Sequence, residues 1–312
     1  MSQPTPSQPT PELRFDNRVA VITGGGRGLG RAYALLLAAR GAKIVVNDPG
    51  FSMNGDSIVG GPADELVAEI RALGGEAVAN TDSVATPEGG KAIIRQAIDA
   101  YGRIDILIHS AGNVRRAPLG EMAYEDFEAV LGVHLRGAFH VVREAFPVMK
   151  AAGYGRIILT GSINGLYGKS DNVNYAISKA GLMGLSNTAA IEGQHDGVTS
   201  NVIIPAAVTR MSDGIDTSKF PPMEPEMVAP LVAYLAHESC TVSGEALIAM
   251  GGRMARAFIA ESKGVYHPSW SVEDVAGEIG AIRDASAPVI FPPVPDGQLE
   301  HLLYGFGMIK EG

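Results

Sequence analysis

Val19-Ala20-Val21-Ile22-Thr23-Gly24-Gly25-Gly26-Arg27-Gly28-Leu29-Gly30 is the stretch that decides the architecture. Its first five residues are small, β-branched or apolar, as in a strand buried on both faces. They run straight into a glycine-rich turn, and from Gly28 the apolar spacing is helical as far as residue 39. A strand, a glycine turn and a helix in immediate succession let the backbone approach a pyrophosphate resting on the helix N-terminus. Glycine runs are common, and the position between strand and helix gives this one its meaning.

Working outward, the cycle repeats. Strands at 43–46, 76–81, 104–109, 156–160, 200–204 and 246–250 alternate with helices at 63–73, 87–100, 124–151, 172–194 and 225–237. Such alternation predicts an α/β, Rossmann-type doubly wound parallel sheet of about seven strands, with helices on both faces. The reading places a disordered leader at 1–13, rich in Pro, Ser, Gln and Thr, and the sheet domain at 14–252 with a substrate loop at 206–225 inside it. After 252 the alternation stops. Helices are expected at 254–262 and 272–282 and a proline-rich segment at 288–295, forming a C-terminal extension (253–312) packed on the same domain.

At 312 residues, 46% hydrophobic and 19% charged, the composition is that of an ordinary globular protein. The net charge of −9 argues against holding nucleic acid or an anionic membrane by bulk electrostatics. One cysteine, Cys240, excludes an intrachain disulfide and a thiolate cluster, and the seven histidines show no ligand spacing, so no metal is expected. No apolar run reaches the roughly 18 residues that span a bilayer. Residues 1–11 have no signal-peptide core, and the end of the chain is not a peroxisomal address, so a cytoplasmic location is expected.

Two groups of residues carry chemistry. Asp48 closes the second strand, 18 residues after Gly30, where a carboxylate can accept the hydroxyls of an adenosine ribose. Arg27, on the glycine turn, could instead pair with a 2′-phosphate. The Asp48 carboxylate would repel that phosphate, so NAD is expected over NADP. Further on, Tyr175 and Lys179 stand four residues apart, on one face of a helix. An ammonium there should lower the tyrosine's pKa and ready it for proton exchange with a hydroxyl or carbonyl. Ser162 upstream can hold the same oxygen. Alone, each has a plainer reading: a solvated helix face for the pair, a turn-capping hydroxyl for the serine.

Together, the turn Thr23–Gly30, the strand end Asn47-Asp48 and the set Ser162, Tyr175 and Lys179 resemble the short-chain dehydrogenase/reductase family, from about residue 14 to 251. More narrowly, Leu29-Gly30-Arg31-Ala32-Tyr33-Ala34-Leu35, Val45-Val46-Asn47-Asp48, Val133-His134-Leu135-Arg136-Gly137 and His237-Glu238-Ser239-Cys240 are similar to the (3R)-hydroxyacyl-CoA dehydrogenase part of peroxisomal multifunctional enzymes type 2. The resemblance implies Tyr175 as acid/base, Lys179 as its tuner and a ribose contact, and Ser162 on the substrate oxygen. It implies cofactor contacts at Gly24, Arg27, Gly28, Leu29, Gly30, Asp48, Asp82, Ser83, Ala111, Gly112, Pro205, Val208 and Thr209, besides Tyr175 and Lys179. A homodimer or homotetramer built on the helices at 124–151 and 172–194 is implied as well.

The chain departs from the family pattern in three places. His134 stands where the family's fourth catalytic residue is asparagine, and is either a substitute in proton relay or a satisfied buried histidine. His109-Ser110-Ala111-Gly112 replaces N-N-A-G. Pro205-Ala206 replaces P-G, with Thr209 one position early and Arg210 in its place. Met211, Ile215, Phe220 and Met223 on the following loop suit a lipid-like or polycyclic alcohol or ketone, or ordinary packing. The expected activity is an NAD-dependent interconversion of secondary alcohol and ketone on a 3-hydroxyacyl-CoA or hydroxysteroid-like substrate. The alternatives are an NADPH-dependent carbonyl or 3-oxoacyl reductase and a catalytically weak nucleotide-binding regulatory protein. The apolar cluster Leu302, Leu303, Tyr304, Phe306, Met308 and Ile309 is expected near a substrate pocket, in its own subunit or a partner's.

Overall fold

The computed structural model describes residues 11–50, 61–209 and 221–311. Its centre is one eight-stranded sheet in the order β3-β2-β1-β4-β5-β6-β7-β8. The strands are β1 (Val19–Thr23), β2 (Lys43–Asn47), β3 (Glu76–Asn80), β4 (Ile106–His109), β5 (Gly155–Thr160), β6 (Val198–Ala206), β7 (Ala246–Met250) and β8 (Arg253–Ala257). The first seven are parallel, and β8 returns antiparallel on β7. The helices are α1 (Gly28–Ala39), α2 (Pro62–Ala72), α3 (Pro87–Tyr101), α4 (Tyr124–Leu131), α5 (Gly137–Ala152), α6 (Ile163–Tyr167), α7 (Val173–Gly193), α8 (Ala229–Ala236), α9 (Val272–Ile282) and α10 (Asp296–Glu311).

Strand pleat divides the core in two. Ala20 and Ile22 of β1 join Ile44, Leu37 and Leu66 on one face, while Val19 and Val21 join Val45, Ile93, Val141 and Leu182 on the other. Both faces are therefore covered, which is why the strands read as continuous apolar runs rather than alternating ones. Helix ends follow local chemistry. Thr86 caps α3 by accepting from the Gly89 amide at 3.1 Å, Pro87 fills its first position, and Gly102 ends it in the left-handed region.

Four differences from the sequence reading stand out. The helix expected at 124–151 is two helices joined by a π-helical turn, Gly132–Arg136, closed by a bond from the Gly137 amide to the Gly132 carbonyl. The helix expected at 254–262 is the eighth strand. Gly251 and Gly252 both have positive φ (53° and 81°), the signature of a tight hairpin, and Ala255 and Ala257 face inward with a period of two. A short helix, α6, lies between Ser162 and Tyr175, and the end of the chain forms α10. Of the substrate-loop residues named above, Arg210, Met211, Ile215 and Phe220 lie outside the described residues, as does most of the leader. No helix among the described residues is long and apolar enough to cross a membrane.

Candidate active site

Ligands of open parallel sheets settle beyond the carboxyl ends of the strands, where the strand order reverses. In this sheet that point lies between β1 and β4. A cavity of about 330 Å³ opens there, lined by the glycine turn, the ends of β2, β4, β5 and β6, the π-turn and α7.

One end is built by backbone approach. Gly24 has φ +63°, and a Cβ on it would meet the Ala111 Cα at 2.7 Å. A Cβ on Gly30 would sit 2.2 Å from the Gly24 carbonyl oxygen, so α1 can only start this close to the turn without a side chain there. Asp48 is held in place by accepting from the Gly26 amide at 3.2 Å and the Gly50 amide at 3.0 Å. Arg27, Gly28, Leu29, Asp48, Ser83, Ala111, Gly112, Pro205 and Thr209 line the cavity. Glycine cradle and tethered carboxylate together fit the pyrophosphate and ribose of a dinucleotide.

The other end is built by burial. Ser162, on the turn after β5, caps α6 by accepting from the Asn164 amide at 3.2 Å and also hydrogen-bonds the Tyr175 side chain. The turn-capping reading of this serine holds, and the same hydroxyl stands beside Tyr175. Tyr175 and Lys179 rise from α7 into the cavity, with the Lys179 Nζ 5.5 Å from the tyrosine ring centre. Lys179 is only 4% exposed and donates to the Thr160 carbonyl. Burial lowers its pKa to about 7. Burial also raises the Tyr175 phenol above its usual range, opposed by the bond with Ser162. The expected lowering of Tyr175 by the ammonium is therefore absent in the protein alone, because desolvation favours the neutral form of both groups.

The π-turn delivers His134 to the same place. Extra backbone in such a turn re-aims side chains and is frequent at functional sites. The ring is almost fully buried, with Nε2 against the Asn113 backbone (2.8 Å to its carbonyl, 3.1 Å to its amide), and it meets the Tyr175 ring edge-on with the ring centres 5.1 Å apart. Nδ1 has no partner, and burial holds the ring neutral, with Lys179 as the next cause. A Cβ on Gly112 would stand 2.6 Å from the His134 ring, so the glycine makes room for the histidine. His109, the other departure, binds the Thr23 hydroxyl at 2.9 Å and is kept neutral by burial, its pKa near 3. It links β1 to β4 beneath the cavity.

Several expected residues sit beside the cavity rather than on its wall. Gly30 serves helix packing, Asp82 is exposed on the adjoining turn, Val208 is 39% exposed and bonded to the Met223 carbonyl, and Ser162 is hydrogen-bonded to Tyr175. The sequence reading missed Asn47, Pro49, Asn113, Arg115, Val133 and Thr160, which do line it. Asn47 precedes Asp48, and Asn113 follows Ala111-Gly112, so strand-end adjacency was the available signal.

The short chain dehydrogenase family model matches residues 18–218. The chain belongs to that family, as an oxidoreductase acting on CH–OH groups with a nicotinamide cofactor. Among particular proteins, it is 45% identical over 297 residues to the peroxisomal multifunctional enzyme type 2 of Drosophila melanogaster, covering 89% of this chain and 49% of that one. A hydroxyacyl-CoA dehydrogenase of Mycobacterium tuberculosis is 34% identical over 253 residues, 76% of this chain and 78% of that one. The solved full-length Drosophila enzyme superposes with a TM-score of 0.78 at 37% identity, covering 96% of this chain and 51% of that one. The chain thus spans about half the length of that multifunctional relative.

Proposed function

We propose that this chain interconverts a secondary alcohol and a ketone using NAD, on a lipid-like substrate of the 3-hydroxyacyl-CoA or hydroxysteroid kind. The observation that carries the reading is the Ser162–Tyr175–Lys179 cluster at one end of a cleft whose other end presents a tethered carboxylate. A bound nicotinamide supplies a hydride acceptor or donor at one carbon. The chain's own residues then handle the oxygen. Ser162 donates to it, Tyr175 takes or returns its proton, and Lys179 favours the phenolate while it is charged. His134, neutral and with Nδ1 unpartnered, suits a bridging water that carries that proton onward.

The apolar exposure of Ile163, Leu166 and Tyr167 on α6, next to Ser162, supports an apolar substrate. Exposed Phe139 on α5, with Ile177 and Ile191 on α7, supports a homodimer or homotetramer through those helices. The test is a turnover screen of acyl-CoAs, steroids and simple alcohols with NAD and NADP in parallel. Turnover of an acyl-CoA or steroid with NAD is expected. Faster NADPH-linked reduction would establish the reductase reading instead, and cofactor binding without turnover of any alcohol would leave a regulatory protein.

A further inference from the structure

The ends of β2 and β3 carry an unusual pair. Asn47 and Asn80 are the last residues of adjacent strands and register partners, and both are buried, at 0% and 4% exposure. Strand positions covered on both faces are ordinarily apolar, and an amide there is costly to bury unless it is bonded. These are bonded, in a directed chain. The Asn47 Nδ2 donates to the Asn80 Oδ1 at 2.7 Å and to the Asp82 carbonyl at 2.8 Å, and lies 3.4 Å from the Asn80 carbonyl. The Asn80 Nδ2 donates to the Asp82 carboxylate at 2.8 Å and to the Gln96 Oε1 at 3.2 Å, while the Asp82 amide returns a bond to the Asn80 Oδ1 at 3.0 Å.

The main chain of the pair completes the link. The Asn47 carbonyl accepts from the Gly25 amide, and the Asn80 carbonyl from the Asp48 amide, each at 3.0 Å. The two residues thus meet the glycine turn and the Asp48 amide through their main chain and the turn at Asp82 through their side chains, three separate parts of one end of the cleft. Three acceptors surround the Asn47 Nδ2, which fixes the amide orientation and leaves its Oδ1 buried without a partner. Asn47 itself lines the cavity.

We infer that Asn47 and Asn80 are positioning residues for the adenosine half of the cofactor, holding Asp48 and the Ser83-Val84 turn in the geometry that receives it. The inference rests on the nucleotide reading of the cleft and adds to it the residues behind the contacts. Binding in a preorganised site spares the cost of ordering it, so loosening the chain of amides should weaken the half that it shapes and spare the other.

Isothermal calorimetry with AMP and with nicotinamide mononucleotide on the full chain separates the two halves. For Asn80→Ala, AMP affinity should fall about tenfold while that of nicotinamide mononucleotide holds, and the loss in turnover should fall on the KM for NAD rather than on kcat. Gln96→Leu, on α3 away from the cavity, removes a single acceptor of the chain and should weaken AMP in the same direction by about two- to threefold, corresponding to under 1 kcal/mol. It keeps the test alive should Asn80→Ala fail to fold. Unchanged AMP binding in the folded variants would overturn the inference, as would parallel weakening of both ligands, which marks a merely structural role. A wild type that binds neither NAD nor AMP would overturn the nucleotide reading and the inference with it.

Discussion

At one end of the cleft Asp48 rests on the amides of Gly26 and Gly50, and behind it Asn47 and Asn80 pass hydrogen bonds from strand to strand. At the other end, Tyr175 is bonded to Ser162 and Lys179 to the Thr160 carbonyl, and burial pushes both towards their neutral forms. One end is a site that is already made. The other is chemically poised, with burial bringing the Lys179 pKa down to about 7 and raising that of Tyr175. Damage to the first should therefore appear as lost affinity, and damage to the second as lost rate or altered pH response.

The sharpest way to break that contrast is Tyr175→Phe. The phenol is the group placed to exchange the substrate proton, and general acid–base catalysis contributes about 10²- to 10⁴-fold. kcat should fall by at least ~10² while the Kd for NAD stays within about twofold. Wild-type turnover in this variant would remove Tyr175 from the chemistry. A collapse of cofactor binding would show that the two ends are not separable.

Lys179→Met tests the claim that burial sets the charge at the reacting end. The lysine's pKa is lowered from 10.5 to about 7 in the folded chain. Between those values the unfolded chain holds a proton that the folded chain has released, so wild-type stability should rise with pH through this window. It should be lowest below about pH 7, where the buried ammonium costs most. The methionine variant lacks that dependence. The stability difference, wild type minus variant, should grow by up to about 1.4 kcal/mol per pH unit between pH 7.5 and 10. Urea denaturation at a series of pH values measures it, and parallel curves would mean that Lys179 is not held near neutrality.

How far the sequence could be read follows the same division. The strands and the glycine turn were legible because local pattern determines them: β1 runs into Gly24–Gly30 with no intervening loop. The Tyr175–Lys179 spacing was legible because helix geometry is local too. Tyr175's raised pKa was not, since it depends on how much of α7 the neighbouring elements cover. The π-turn that aims His134 has no simple local code. The eighth strand did have one, as Gly251-Gly252 between two apolar segments is a hairpin signal. The helical reading of 254–262 passed over it.

Cofactor choice sharpens the comparison from the adenosine side. At ~4 Å and an effective dielectric of ~20, each unit of like charge costs about 4 kcal/mol before relaxation and screening. Asp48, tethered by two amides, cannot easily swing away from a 2′-phosphate. NAD should exceed NADP by at least about tenfold in kcat/KM, a difference of about 1.4 kcal/mol. Asp48→Ala should narrow the gap and leave Arg27, which also lines the cavity, to meet the phosphate. Equal use of both cofactors by the wild type, or a preference untouched by the substitution, would take Asp48 away from the ribose.

The smallest effect should come from the end of the chain, which belongs to neither half of the cleft. Through His301 and Tyr304, α10 touches Phe291, Glu261 and Lys263, and none of those three lines the cavity. Meanwhile Leu299, Leu302, Leu303, Phe306 and Ile309 remain exposed along the helix. A stripe of that kind usually marks a surface that something else covers. If a partner's substrate cleft is what it meets, truncation after Pro295 should raise the substrate KM a few-fold, under about 1 kcal/mol, or lower solubility. Cofactor affinity, set by the amides and carboxylate at the far end, should not move. A soluble truncation with unchanged KM would confine the role of this helix to its contacts with the rest of the extension, and a change in NAD affinity would contradict the separation of the two ends.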